Sequence, residues 1–222
     1  MPEKKDGKVP EKTFAEAAKA IIDGDAENAA NLAKRGLDEG IEPLTLLDQG
    51  FVPGINEVGD LFSKGKLFIP GLMKSAAAME KATEIINAAI PQGEEIAQGR
   101  VVLGTVQGDV HDIGKTIVVA LFKANGLEVL DLGRNVPNAK IIEEAEKFGA
   151  DIIGTSTLLT TTMVLQKELE EELKIAGLRE KYKTIIGGAP VTQRWADRIG
   201  ADAYAHDASD GVKKVKELIK KS

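Results

Sequence analysis

The chain has 222 residues, of which 43% are apolar, 29% are charged and only 4% are aromatic. This composition is typical of a globular protein with one large core or two small ones, and it argues against a disordered tail. Because the formal net charge is −6, the chain lacks the basic footprint of a nucleic-acid-binding protein, and we expect no nucleic-acid partner. The absence of cysteine excludes disulfides, thiolate nucleophiles, zinc–thiolate sites and iron–sulfur clusters.

The N-terminal residues 1–12 are polar and charged, unlike a secretory signal with its apolar stretch. No run in the sequence approaches the roughly 18 apolar residues that a membrane-spanning helix needs. We therefore expect a cytoplasmic protein with no membrane partner.

In the first half of the chain, apolar residues recur at helical spacing, which predicts four helices. Their apolar positions span 14–21, 26–37, 44–61 and 68–90. Pro53 and Gly54 lie inside the third helix and predict a bend or break there. Residues 91–99 combine turn residues with charge and are interpreted as a linker. We therefore expect a helical domain over 1–90 and a second domain over 100–222.

From Val101 onwards, short β-branched runs alternate with helical stretches, which predicts parallel strands joined by helical crossovers. The predicted fold class is α/β: an N-terminal four-helix bundle followed by a flavodoxin-like, doubly wound sheet of five parallel strands. The predicted strands are 101–106, 127–132, 151–155, 183–186 and 201–204, and the helices between and after them are 113–124, 139–148, 163–176, 191–199 and 209–221. In the common strand order 2-1-3-4-5, the first, third and fourth strands end side by side, where ligands bind in this class.

The loop after the first predicted strand contains His111, one of only two histidines in the chain. Asp109 lies two residues before it and could accept a hydrogen bond from one ring nitrogen, leaving the other nitrogen for a metal. The alternative is a surface histidine at a helix start, with Asp109 or Asp112 nearby. The glycines of this region do not match the dinucleotide-binding fingerprint.

Two further clusters follow the third and fourth predicted strands. Residues 156–162 include five hydroxyl side chains, which could bind a buried ligand or cap the next helix. Gly187 and Gly188 offer a surface without side chains that a flat ligand could approach, or they form an ordinary turn. In the expected strand order, all three clusters line one crevice.

Together these clusters resemble the cobalamin-binding signature of methionine synthase, methylmalonyl-CoA mutase and the corrinoid methyl-carrier proteins. The matching elements are Asp109-x-His111-x-x-Gly114, Ser156-x-Leu158 and Gly187-Gly188, and the intervals 115–155 and 159–186 are close to the family's spacing. The resemblance implies that His111 is the lower ligand of cobalt in a His-on, base-off cobalamin. It also implies that Asp109 and Thr162 complete a relay behind the imidazole. Further cofactor contacts are implied for Gly108, Val110, Asp112, Ile113, Gly114, Ser156, Leu158, Thr160, Gly187 and Gly188.

The first half resembles the helical module that precedes the cobalamin fold in methionine synthase and in the methylamine, methanol and methoxyarene carriers. Segments 58–62 and 65–70 carry this resemblance. It implies that the bundle caps the upper face of the corrin, with Phe68, Leu72 and Met73 as candidate cap residues. The alternative is that these three side chains belong to the core of the bundle.

Within that family, the chain resembles the stand-alone corrinoid methyl carriers, and segment 191–204 looks most like the methylamine branch. The resemblance implies cobalamin or a related corrinoid whose cobalt carries a methyl group from a substrate-specific methyltransferase to an acceptor methyltransferase, with a reductive activator as a third partner. The chain would be a carrier subunit in methanogenesis or acetogenesis rather than a complete enzyme. Two alternatives stay open: a cobalamin-dependent sensor, and a flavodoxin-like module that binds another flat cofactor such as a flavin.

Overall fold

The computed structural model describes residues 9–90 and 99–220 of the chain. The chain divides between Ile96 and Ala97 into two compact units, one helical and the other built on a sheet. Apart from Gly99, the predicted linker 91–99 lies outside the described residues.

The helical unit contains the expected helices, although the third of them is interrupted. Its helices are α1 (Val9–Ile22), α2 (Ala26–Asp38), α3 (Pro43–Leu46), α4 (Val52–Ser63) and α5 (Ile69–Ala88), with a π-helical turn at Leu47–Phe51 between α3 and α4. Asp25 caps α2 by accepting a hydrogen bond from the amide of Asn28, and Glu42 caps α3. Fully buried Ile21, Phe51 and Ile55 contribute to its core.

The break in the third predicted helix falls earlier than the prediction at Pro53 and Gly54. The amide of Val52 donates to the carbonyl of Leu47, five residues back, and α4 starts directly afterwards. Pro53 therefore lies in the first turn of α4, where a missing N–H costs no helical hydrogen bond. Gly54 has a packing role, since a Cβ there would lie 2.4 Å from the carbonyl oxygen of Ala18 on α1.

The second unit confirms the predicted doubly wound sheet. Five parallel strands lie in the order β2-β1-β3-β4-β5. The strands are β1 (Arg100–Thr105), β2 (Glu128–Asp131), β3 (Ile152–Ser156), β4 (Lys183–Gly187) and β5 (Ala203–Ala205), and the helices are α6 (Ile113–Ala124), α7 (Asn138–Phe148), α8 (Val164–Ile175), α9 (Gln193–Ile199) and α10 (Ala208–Ile219). The central strands β1 and β3 are almost wholly buried, as expected for a sheet covered by helices on both faces.

The register of the sheet sets the position of the loops that follow the strands. Thr105 at the end of β1 pairs with Ser156 at the end of β3, and Ser156 pairs with Gly187 at the end of β4. Since these three strands end level with one another, the loops after them begin side by side. Within the described ranges, no helix has the length and apolar character to cross a membrane.

Candidate functional site

The three predicted clusters meet at the carboxyl edge of the sheet. The amide of Val106 donates to the carbonyl of Ser156 at 3.1 Å, and the amide of Thr157 donates to the carbonyl of Gly187 at 3.2 Å. These bonds continue the parallel pairing for one residue beyond the strands. They place the loop that carries His111 directly beside residues 156–162.

Asp109 is the centre of this edge, and its side chain is completely buried. One carboxylate oxygen, Oδ1, accepts from the backbone amide of His111 at 3.0 Å and lies 2.9 Å from its ring nitrogen Nδ1. The other oxygen, Oδ2, accepts from the backbone amides of Leu158 at 2.6 Å and Leu159 at 3.2 Å. The carboxylate thus joins the loop after β1 to the loop after β3.

The hydrogen bonds determine the charge of Asp109. Burial by itself would raise its pKa, but the backbone amides of Leu158 and His111, the His111 ring and the amide of Leu159 outweigh burial and hold the pKa well below its ordinary value of 3.8. Asp109 is therefore ionised at neutral pH. Because a carboxylate only accepts hydrogen bonds, Nδ1 of His111 donates to Asp109, and in the neutral ring Nε2 is then the nitrogen without a proton.

The imidazole of His111 is accessible, since half of its side chain is exposed. The arrangement differs from the alternative of a surface histidine beside a helix cap, because Asp109 is a buried acceptor for both the ring and the backbone of His111. A fixed Nδ1 and a free, exposed Nε2 are the properties of a histidine that ligates a metal. His206 contrasts with it: it follows β5 and is largely exposed, with Nδ1 3.7 Å from Asp207.

Two threonine hydroxyls lie behind the carboxylate, and the sequence analysis named only one of them for the relay. Thr162 Oγ1 lies 3.3 Å from Oδ2 of Asp109, and Thr157 Oγ1 lies closer, at 3.1 Å. The two hydroxyls are 2.6 Å apart, and each also reaches the carbonyl of Leu159. Since each hydroxyl has one proton for several acceptors, the pair can exchange hydrogen-bond partners. In the sequence, Thr157 is one of five hydroxyl residues in 156–162, with nothing that distinguishes it from the others.

The alternative interpretation of the threonines as helix caps is wrong for α8. That helix begins at Val164, and in the part of the chain that the structure describes no side chain caps its first turn. Thr162 instead directs its hydroxyl to Asp109 and Leu159.

Around this relay the edge is apolar and open. The side chains of Val110, Ile113 and Leu158 are all substantially exposed despite being large and apolar. Gly114 has free space where a side chain would lie, and Gly108 has a left-handed backbone with φ +79°. Asp112 precedes α6 and lies 3.8 Å from Arg134, Ser156 is half-buried, and Thr160 is exposed. These apolar side chains are accessible to a ligand that binds at the edge of the sheet.

The two glycines after β4 have different environments. A Cβ on Gly187 would make only an ordinary contact, 3.5 Å from the carbonyl oxygen of Ala205. A Cβ on Gly188 would lie 1.7 Å from the carbonyl oxygen of Thr157, and its φ is +125°. Position 188 must therefore be glycine, because the backbone of Thr157 occupies the space of a side chain. This steric reason was not predicted from the sequence.

The three cap candidates also differ from one another. Phe68 is 75% exposed on the helical unit, and Met73 is partly exposed. Leu72 is fully buried, which agrees with the alternative that it is a core residue. Only Phe68 and Met73 have side-chain surface available for a ligand.

One segment that the sequence analysis missed contacts the loop of His111 directly. Asn135, between β2 and α7, accepts a hydrogen bond from the amide of Gly108 through Oδ1 at 2.7 Å. Its neighbour Arg134 donates to the carbonyl of Val110 at 3.3 Å. The only sequence signal was Asn135 itself, as a residue type that tolerates a left-handed backbone.

The donor set fits a metal that brings most of its own ligands. No cluster of three or more His, Cys, Asp or Glu side chains suited to a metal ion occurs among residues 9–90 and 99–220. A lone imidazole is too little for a free metal ion, whereas a metal inside a macrocycle needs only an axial ligand from the protein. His111 Nε2, beside exposed apolar side chains, could supply such an axial ligand.

Comparison with known proteins identifies the family and the cofactor class of the chain. Two family models, each described as a B12 binding domain, match residues 13–87 and 99–215. The chain is 45% identical over 211 residues to trimethylamine corrinoid protein 1 of Methanosarcina acetivorans, covering 94% of this chain and 98% of that protein. It is 48% identical over 182 residues to dimethylamine corrinoid protein 2 of the same organism, covering 82% of this chain and 84% of that protein.

Two solved structures share the fold. A cobalamin-binding protein from Desulfitobacterium hafniense superposes with a TM-score of 0.77 and 32% identity, covering 91% of this chain and 96% of that one. The methanol:cobalamin methyltransferase complex MtaBC from Methanosarcina barkeri gives a TM-score of 0.78 and 29% identity, covering 100% and 87%. The fold and the site therefore define a cobalamin-binding protein. Because the chain is similar to the methylamine relatives over most of its length, it belongs to the family of methylamine corrinoid proteins.

Proposed function

We propose that the chain carries methyl groups between two methyltransferases on a corrinoid that His111 holds from below, in the His-on, base-off manner. The observation that best supports this proposal is the buried Asp109 carboxylate. It bonds Nδ1 of His111 and leaves Nε2 accessible on a half-exposed ring. When bound, the corrinoid would supply a cobalt nucleophile that accepts and releases the methyl group, chemistry that a cysteine-free chain does not have among its own side chains.

The role of the protein's own residues is to control the proton on the His111 imidazole. With Nδ1 bonded to ionised Asp109, a neutral ring has its unprotonated nitrogen at Nε2, where it can act as a ligand. A proton on Nε2 turns the ring into an imidazolium, which cannot ligate. The Asp109 carboxylate stabilises that cation, and the hydroxyls of Thr157 and Thr162 adjust their hydrogen bonds to its charge. This relay lets His111 bind and leave without a large movement of the loop.

The methylamine class is the proposed source of the methyl group, because the trimethylamine and dimethylamine corrinoid proteins are similar over most of their length. A substrate-specific methyltransferase is the first expected partner, because a structural neighbour of this chain comes from a methanol:cobalamin methyltransferase complex. An acceptor methyltransferase and a reductive activator complete the proposed set of partners. Among the three cap candidates, Phe68 and Met73 are the ones whose exposed side chains support a cap role for the helical domain, 1–90.

The experiment is to load the protein with hydroxocobalamin, reduce it, and follow cobalt methylation by visible absorption. Trimethylamine, dimethylamine and methanol are offered as donors, each with its own purified methyltransferase. Methylation from an amine supports the proposal, and methylation only from methanol would contradict its substrate class. Bound corrinoid that no donor methylates but that bleaches in light would favour the sensor, and a flavin spectrum in the purified protein would favour the flavodoxin-like alternative.

The tail of the corrinoid is proposed to enter a slot beside Ser156, Leu158, Thr160 and Gly187. We expect Ser156→Trp to lower corrinoid content about tenfold or more, because an indole at the end of β3 would occupy the space proposed for the corrinoid tail. Corrinoid is measured per protein after loading, and circular dichroism checks the fold of the apoprotein. Lys183→Trp, at the opposite end of neighbouring β4, is the matched control and should load normally. Normal loading of folded Ser156→Trp would remove Ser156 from the slot.

A further inference from the structure

The loop that carries His111 is held on one side by the segment that follows β2. Asn135 makes two contacts with it: Oδ1 accepts from the amide of Gly108 at 2.7 Å, and its own amide donates to the carbonyl of Asp109 at 3.0 Å. These bonds flank the position at which the backbone turns towards the buried carboxylate. Asp109 is therefore held through its backbone by Asn135 and through its side chain by Leu158 and Leu159.

The conformation of Asn135 explains why this residue type occurs there. Its φ is +56°, in the left-handed region, and among the described residues it is the only one besides glycines with a positive φ. Asparagine tolerates this conformation better than most residues and, unlike glycine, also carries a side-chain acceptor. Few other side chains could combine this backbone with a bond to Gly108.

The segment around Asn135 is itself firmly anchored. The amide of Gly133 donates to Oδ1 of Asp131 at 2.9 Å, and Asp131 pairs with Lys115, whose side chain is almost completely buried at the start of α6. The amide of Val136 donates to the carbonyl of Thr105 at 3.0 Å. The segment is thus fixed to β1, to the end of β2 and to the helix that begins just after His111.

We infer that Asn135 is a positioning residue for His111: it sets the place of the Asp109–His111 pair, and with it the fraction of protein in which the imidazole ligates cobalt. This inference rests on the proposed function, since it requires His111 to be the ligand. The hydrogen bond from Gly108 stiffens the start of the loop, so that Nε2 stays at one position. Without it, Asp109 keeps its side-chain bonds, but the loop samples more positions and the ring is less often in place.

The test compares the His-on to His-off ratio in the reduced, cobalt(II) form of the loaded protein, measured by visible absorption and by the nitrogen splitting in electron paramagnetic resonance. Asn135→Gly keeps the left-handed backbone but loses the acceptor, and we expect the ratio to fall about fivefold, as for the loss of one ordinary hydrogen bond. Asn135→Asp keeps both the backbone preference and an acceptor oxygen and should restore most of the ratio. Corrinoid content should be unchanged in both.

Asn125→Ala is the matched control, because Asn125 is a buried asparagine in the same unit that donates to Leu121 at the other end of α6. It should lower the stability of the protein but leave the ratio unchanged. A second measurement needs no variant: the amide hydrogen of Gly108 should exchange slowly with solvent in the wild-type protein, and fast exchange would contradict the inference.

The outcomes separate this inference from the proposed function. An unchanged ratio in Asn135→Gly, or an equal loss in Asn135→Asp or Asn125→Ala, overturns the role of Asn135. If His111→Ala itself has the wild-type spectrum, it is instead the assignment of His111 that fails.

Discussion

His111→Ala is expected to bind corrinoid but to contain no His-on form at all. The methyl side chain of alanine offers no nitrogen, so the lower axial position loses its protein ligand while the proposed tail contacts at Ser156 and Gly187 remain. The visible spectrum should shift completely to the base-off type, and the nitrogen splitting of the cobalt(II) form should disappear. This is a total loss, in contrast to the fivefold change expected at Asn135.

The fold should survive this substitution because the ring is half exposed and Asp109 keeps its other partners. We expect the free energy of unfolding of the apoprotein to fall by about 1 kcal/mol, for the lost bond to Nδ1. His206→Ala is the control, since His206 is the only other histidine and is largely exposed after β5. A wild-type spectrum in His111→Ala, or a base-off spectrum in His206→Ala, would refute the assignment.

The fold was largely predictable from the sequence because its signals are local and repeated. Alternation of β-branched runs with helical stretches predicts a parallel sheet, and α6 spans the predicted residues 113–124. The interruption of the third helix was placed wrongly because the sequence does not reveal whether proline lies within a helix or in its first turn. The close approach of Gly54 to Ala18 on α1 is likewise not visible in a local pattern.

The site was predictable where its residues are neighbours in sequence and less so where the fold brings them together. The contact between Asp109 and His111 spans two residues and is predictable from their spacing. Asn135 and Thr157 reach the same loop from other strands, 27 and 48 residues away from the groups they contact. The sequence contains no periodic pattern that would reveal these contacts. Both depend on the register of the sheet, and the Asn135 contact is to a backbone amide, a group that nearly every residue has.

Gly188 is a further example of a residue whose role could not be predicted from the sequence. Its lack of a side chain was attributed to a flat ligand or to an ordinary turn, whereas the structure shows the backbone of Thr157 in the space a side chain would occupy. A glycine in a sequence indicates that something lies close, but not what. For this reason Ser156, rather than Gly188, is the suitable position for testing the tail slot.

Asp109→Asn is expected to be the most destabilising substitution at the site. The amide group has one acceptor oxygen where the carboxylate has two, so its NH₂ group must face either the amides of Leu158 and Leu159 or the amide and ring of His111. In either orientation, the N–H groups on one side lose their acceptor oxygen and face the NH₂ group of the asparagine instead. We expect the free energy of unfolding of the apoprotein to fall by about 3 kcal/mol, measured by urea denaturation at neutral pH.

Asp112→Asn is the matched control because Asp112 lies in the same loop but is exposed and only 3.8 Å from the exposed guanidinium of Arg134. A surface pair of this kind contributes little, so the expected change is below about 1 kcal/mol. Equal effects of the two substitutions would mean that Asp109 is not the organising group of the loop.

The pH dependence gives a second check on Asp109, again in the apoprotein. Its pKa is lowered in the folded state, because the backbone and ring donors outweigh burial, so the stability it contributes is complete well above its ordinary value of 3.8. That contribution declines as the pH falls towards the folded-state pKa, since the unfolded chain takes up the proton first. Between pH 6 and pH 3, the stability difference between wild type and Asp109→Asn should therefore shrink by about 1 kcal/mol. A difference that stays constant over this range would show that folding does not lower the pKa of Asp109.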